Sequence, residues 1–203
     1  MDRLRLMNLR QEEVMFNIFV QFDLEITDCL VTRIFVLINK YYSSFLVLEA
    51  DWNKINSEIP WEEFVLNDYI LTSPHDFIIE LKIPSFVQYA DAGEVFVEYF
   101  DSMTIYYGLE ESTNRNSIGV DFYGNVYTNT RYDWDSVNKV NIPINQEASA
   151  EKNREIMASF VQALEKLLSG EITEFLSPHY LEEDHIYKYG IKHYAKLKDM
   201  IRS

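Results

Sequence analysis

Val14-Met15-Phe16-Asn17-Ile18-Phe19-Val20-Gln21-Phe22-Asp23-Leu24-Glu25-Ile26 is the stretch whose reading decides the fold. Val14, Phe16, Ile18, Val20, Phe22, Leu24 and Ile26 occupy every second position, and the residues between them are mixed. Strand side chains point alternately to two faces, so this spacing predicts a long strand with one face in a core. At Ile26 the period changes. Ile26, Cys29, Leu30, Ile34, Leu37, Ile38 and Tyr41 follow three-and-four spacing, with Arg33 the polar exception. That predicts a helix, with Thr27 or Asp28 accepting a free backbone N–H at its start. On this stripe Cys29 reads as a small buried residue. Phe45 to Glu49 then reads as a second strand, which gives a β-α-β opening.

Further along, Pro60 before Trp61-Glu62-Glu63-Phe64 suits the first turn of a short helix. Phe77 to Tyr89 alternates through Phe77, Ile79, Leu81 and Ile83, and Pro84 places that strand at an edge or a bulge because proline lacks an N–H. Val95 to Phe100 and Met103 to Tyr107 read as a hairpin turning at Asp101-Ser102. Residues 109–117 read as a polar loop, Gly124-Asn125 as a tight turn within extended structure, and 128–149 as a second polar stretch. Ser149 is the expected cap of the strongest helix, whose apolar stripe is Ile156, Phe160, Ala163, Leu164, Leu167 and Leu168; Gly170 is its expected left-handed terminator. A short strand, 172–176, and a basic helical segment, 185–202, complete the chain. Strands grouped between helices favour a single α+β domain over residues 1–203, mainly an antiparallel sheet with amphipathic helices packed on it.

Composition narrows the function. The formal net charge is −15 over 203 residues. Residues 188–203 carry a local +4 and residues 1–10 a local +2, so subtracting both ends leaves −21 on residues 11–187. Phosphate contacts need clustered Lys and Arg, so nucleic acid is an unsuitable partner and a basic protein is the natural complement. Cys29 is the only cysteine, so no intrachain disulfide forms. That fits a reducing compartment, and the expected location is cytoplasmic. Asn8, Arg10, Gln11, Glu12 and Glu13 interrupt any secretory apolar region, and no window is long enough for a membrane span.

No catalytic or metal constellation emerges. His179 and His185 flank Glu182-Glu183-Asp184, but the spacing matches no established metal motif and reads as a solvated acidic loop. No nucleophile elbow and no glycine-rich phosphate loop is present, so no catalytic residue, metal or cofactor is expected. The candidate partner-binding residues are Tyr132, Asp133, Trp134 and Asp135 in a predicted loop, with Glu110 and Glu111 in the loop before it. Aromatic side chains there would supply contact area, and the acids would steer a basic partner.

Gly93-Glu94-Val95-Phe96-Val97-Glu98-Tyr99-Phe100-Asp101-Ser102-Met103-Thr104-Ile105-Tyr106-Tyr107-Gly108 resembles the central hairpin of small bacterial immunity proteins, and residues 160–172 have a similar helix-to-strand layout. The resemblance spans a third of the chain. Glu110-Glu111-Ser112-Thr113 stands where such proteins often carry aromatic and His residues, so no functional residue carries over. The resemblance implies an inhibitor that binds and neutralises a cognate bacterial toxin domain. A small-molecule enzyme with a site assembled by the fold, or an oligomeric accessory protein, are the alternative expectations.

Overall fold

The alternating stretch forms β1 (Val14–Phe22), and Phe16, Ile18, Val20 and Phe22 lie wholly buried on one of its faces. The strand stops short of the pattern: Leu24 is exposed, while Ile26 returns to the core. The computed structural model describes residues 14–50, 53–66, 78–89, 95–110, 115–135 and 137–176. After β1 come α1 (Asp28–Tyr41), β2 (Leu46–Ala50), β3 (Asn53–Pro60), α2 (Trp61–Leu66), β4 (Ile78–Gln88), β5 (Val95–Glu110) and β6 (Arg115–Tyr123). A 3-10 turn at Asn125–Tyr127 leads to β7 (Thr130–Asp135), β8 (Val140–Asn145), α3 (Glu147–Leu168) and β9 (Glu171–Leu176). The main sheet has the order β3-β2-β4-β5-β6-β1-β9, with every neighbouring pair antiparallel; β7 and β8 pair separately. The fold is α+β with a mainly antiparallel sheet, as the sequence implies.

Thr27 caps α1, its Oγ1 accepting from the Leu30 N–H at 3.2 Å. Leu30, Val31, Ile34, Phe35 and Ile38 face the sheet. Cys29 is exposed, against expectation. A helix turns about 100° per residue, so a stripe centred on the 30/31, 34/35 and 38 positions leaves 29 outside it. The β-α-β opening exists, but β1 and β2 are not neighbours: β6, β5 and β4 stand between them. The chain thus crosses the sheet through α1. Phe160 of α3 meets Tyr42 and Phe122 edge-on in the core between helices and sheet.

Two turns and a polar stretch expected from sequence are differently built. Asp101-Ser102 is no turn: β5 runs unbroken over Val95–Glu110, 16 residues, where a hairpin was expected. Met103 opposes Leu81 and Asp101 opposes Lys82, so Ser102 is the extra residue of a β-bulge. The pair lacks the Gly or Asn that a two-residue hairpin turn demands. Gly124 does adopt a left-handed φ of 91°, but the strand does not double back. Val126 and Tyr127 are buried and draw the chain beneath the sheet instead. The supposed polar stretch 128–149 then holds β7 and β8. β3 (Asn53–Pro60) was not foreseen as a strand in the sequence.

At α3 the cap position is Gln146, and Ser149 sits inside the first turn, its hydroxyl donating to the Gln146 carbonyl at 2.9 Å. At the other end Ser169, not Gly170, takes the left-handed conformation, with φ 49°. Gly170 is required for a different reason: a Cβ there would lie 2.5 Å from the Gln21 carbonyl oxygen. The glycine lets the α3–β9 link pass against β1. The expected basic segment 185–202, residues 1–10, His179 and His185 all lie outside the described residues.

Polar residues on the buried side of α3 fix its position. β2 pairs with β4 only through Lys82, which leaves the outer edge of β4 open beyond that point. Asn153 fills it. Its Oδ1 accepts from the Phe86 N–H and its Nδ2 donates to the Phe86 carbonyl, both at 2.8 Å, as a neighbouring strand would. The same Nδ2 donates to the Val126 carbonyl at 2.8 Å. Next to it, buried Arg154 donates to the Tyr127 carbonyl at 2.6 Å and to Asn129 Oδ1 at 3.0 Å. Replacing Asn153 by Ala leaves an N–H and two carbonyls buried without these partners, and a buried unsatisfied group costs about 1–3 kcal/mol. Asn153→Ala should therefore lower the unfolding free energy by about 3 kcal/mol in a denaturant titration. A loss below about 0.5 kcal/mol, the level of an ordinary surface substitution, would show that the amide does not pin the arm.

Candidate functional site

α1 and α3 pack on one face of the sheet. Alternation sends Asn17 and Phe19 of β1, Thr104 and Tyr106 of β5, and Asp121 and Tyr123 of β6 to the other face. Gly119 of β6 stands directly opposite both Phe19 and Tyr106. The Tyr106 ring lies over this glycine: a Cβ would come within 2.2 Å of the ring. Phe19 meets Tyr106 edge-on, with centroids 5.6 Å apart. The missing side chain is thus replaced by an aromatic ring from the adjacent strand.

Placed there, the Tyr106 hydroxyl joins a polar cluster. Asn17 Nδ2 donates to the Tyr106 oxygen at 2.9 Å and also to Asp121 Oδ1. The Tyr106 hydroxyl approaches Asp121 Oδ1 at 3.4 Å, and the Tyr123 hydroxyl donates to Oδ2 at 3.3 Å. Burial raises the Asp121 carboxyl above its ordinary value, outweighing hydrogen bonds from Asn17, Tyr123 and Tyr106 that pull it down. The Tyr123 phenol is pushed up to about 12, chiefly by burial, with the Asp121 and Glu80 charges acting in the same direction. Burial and the Asp121 charge raise Tyr106 as well. Both phenols therefore stay protonated and available as donors. The cluster ties β1, β5 and β6 together, and the fold itself supplies the donors that satisfy the carboxylate. Among the described residues no group of three or more His, Cys, Asp or Glu converges in a way that could hold a metal ion.

The second feature carries the residues singled out in the sequence. Tyr132, Asp133, Trp134 and Asp135 lie on β7, not in a loop, opposite Pro143, Ile142, Asn141 and Val140 of β8. Ile144 on one face of this hairpin is buried, whereas Tyr132 on the other is 62% exposed. The Asp135 carboxylate is engaged within its own turn. Its Oδ1 accepts from the Val137 and Asn138 N–H groups at 2.8 and 3.1 Å, and its Oδ2 accepts from Asn138 Nδ2 at 2.6 Å. The Asn138 side chain, then the two backbone donors, hold its carboxyl below the usual range. The turn it fixes displays Val137, which is 85% exposed, and Val140 is exposed beside it. Arg131 and Lys139 balance Asp133 and Asp135, so the hairpin is not acidic in itself.

Glu110 sits at the far end of β5 opposite Arg115, in the main sheet, and Glu111 lies outside the described residues. The structure thus gathers Tyr132 to Asp135 on one strand and assigns Glu110 to a different sheet. Val137 was missed in the sequence; its only signal is a single apolar residue within a polar run. No helix among the described residues is long and apolar enough to cross a membrane. Comparison with protein-family models, curated proteins and solved structures finds no match.

Two outcomes test the outer-face cluster. Gly119→Ala forces the Tyr106 ring off its seat. It should destabilise the fold by about 1–3 kcal/mol, the usual cost of overpacking; an unchanged melting temperature would contradict this packing. The Asp121 carboxyl is raised above 3.8, so between 3.8 and its folded value the native state holds more protons than the unfolded chain. Its contribution to stability falls as pH rises through that interval and is constant above it. The stability of Asp121→Asn relative to the parent should therefore increase as pH is raised from about 3.5 to about 7. A pH-independent difference would refute the assignment.

Proposed function

We propose that the chain is a protein-binding module that neutralises a basic toxin domain, in the manner of an immunity protein. The observation that carries this reading is the β7–β8 hairpin. A carboxylate and three hydrogen bonds hold its turn rigid, and Tyr132, Val137 and Val140 stand outward from it. Apolar and aromatic side chains on a pre-ordered element lose little entropy on binding, which makes them efficient anchors. The hairpin has no charge excess, so the −15 of the whole chain supplies attraction rather than contact. A long-range field of that sign raises the encounter rate with a basic partner and weakens as salt screens it. In this reading the chain performs no chemistry and needs no cofactor.

The test expresses the product of the gene immediately upstream, with growth rescue by this chain and calorimetric affinity as readouts. Tyr132→Ala and Val137→Asp should each weaken binding by about tenfold or more while leaving the melting temperature unchanged. Affinity should fall between about 50 and about 300 mM salt. Absence of rescue would overturn the function, unaltered affinity in both variants would overturn the surface, and salt-independent affinity would overturn the charge argument.

A further inference from the structure

We infer that the chain forms a homodimer by antiparallel pairing of residues 95–99 of β5 with the same residues of a second copy. The inference begins with Asn153. Its amide bonds both the N–H and the C=O of Phe86, so those groups point away from β5. Phe86 opposes Val97, and no register shift interrupts the ladder from Lys82 to Gln88. In an antiparallel ladder, pairs that exchange hydrogen bonds alternate with pairs that do not. Val97 therefore turns its own N–H and C=O away from β4, as do Val95 and Tyr99. Pro84 opposes Tyr99, so its missing N–H falls on the β4 edge away from β5, where a donor is not needed for the ladder.

β6 pairs with β5 only from Met103 onward, and among the described residues no strand pairs with Val95, Val97 or Tyr99 on that side. Their side chains are 38%, 55% and 42% exposed. An open apolar edge of this kind is a template for another strand.

The pattern selects its occupant. A two-fold axis at Val97 sets Val97 opposite its own copy and Val95 opposite the copy's Tyr99. All three residues with outward backbone groups then meet residues with outward backbone groups, making six hydrogen bonds. On the side-chain level the axis creates two Tyr–Val cross-strand pairs, a favourable combination. Within residues 95–99 Glu98 is the one charged residue. A basic strand would find little charge here, whereas a second apolar edge finds a match.

Sedimentation velocity over a concentration series reads the dimer, and two variants read its geometry. In a Cys29→Ser background, Val97→Cys should cross-link to itself under mild oxidation, because directly opposed Cα atoms at about 5.5 Å suit a disulfide. Val95→Cys should not cross-link alone but should do so when mixed with Tyr99→Cys. Val97→Lys should shift the dimer to a monomer that keeps the folded circular-dichroism spectrum and whose melting temperature no longer depends on protein concentration. Dimerisation should strengthen with salt, since two like-charged chains repel; binding of a basic toxin weakens with salt, so the two associations fail separately. A monomer at about 1 mM, the concentration of the weakest specific contacts, would overturn the inference. So would a dimer that survives Val97→Lys, or an extended Lys-rich peptide that protects the 95–99 amides from hydrogen exchange on a monomer.

Discussion

The amide of Asn153 is the contact on which the arrangement of α3, β4 and the 3-10 turn depends. Beyond Lys82 the β4–β5 arm has lost its β2 neighbour, and a bare strand edge inside a protein leaves backbone donors and acceptors unpaired. One side chain supplies the geometry of a strand there, with one donor and one acceptor meeting Phe86. Its donor also reaches Val126, so the chain emerging from β6 is held by the group that closes β4. Arg154 extends the same layer to Tyr127 and Asn129. An apolar residue at position 153 could fill the space but could satisfy none of these groups. The register of α3 along the sheet is set by polar groups with few alternatives, and the apolar contacts around Phe160 fill in around them.

The same chemistry explains how far the sequence could be read. β1, α1, β4 and β9 were legible because their burial follows a simple period, and Thr27 announced its helix. The α3 stripe was read only in part: Phe160, Leu164 and Leu168 are buried as expected, but two further buried positions are Asn153 and Arg154, residues that hydropathy places in water. β5 was divided in two because Asp101-Ser102 resembles a turn locally; only the opposing register of β4 reveals a bulge. β7 was taken for a loop because it lies within a polar run of the sequence. The fold class emerged because it needs only the count and grouping of elements. Of the candidate site, Tyr132 was legible by type, whereas the role of Asp135 depended on where Val137 and Asn138 came to lie.

Two aspartates show opposite uses of a carboxylate. Asp121 is partly buried on a sheet face, where desolvation exceeds what its donors return, so the negative form is disfavoured. Asp135 lies in water at a turn, where three donors act without a desolvation cost of comparable size. The first holds strands together at some electrostatic expense; the second orders a turn almost freely. In the sequence Asp121 is one more acid in a chain of net charge −15, and Asp135 reads as an acid that steers a partner; the structural role of neither is visible there.

The arm has two edges, and the chain treats them differently. One is closed by Asn153 and by Pro84, which has no N–H to offer. The other is bare. A strand with two bare edges can add copies indefinitely, which is the geometry of a fibre. With one edge closed from within, pairing at the arm consumes the only valence it has. Contact between copies there is isologous and ends at two, so an exposed apolar strand that would otherwise invite aggregation is confined to a finite assembly by a single asparagine on a distant helix.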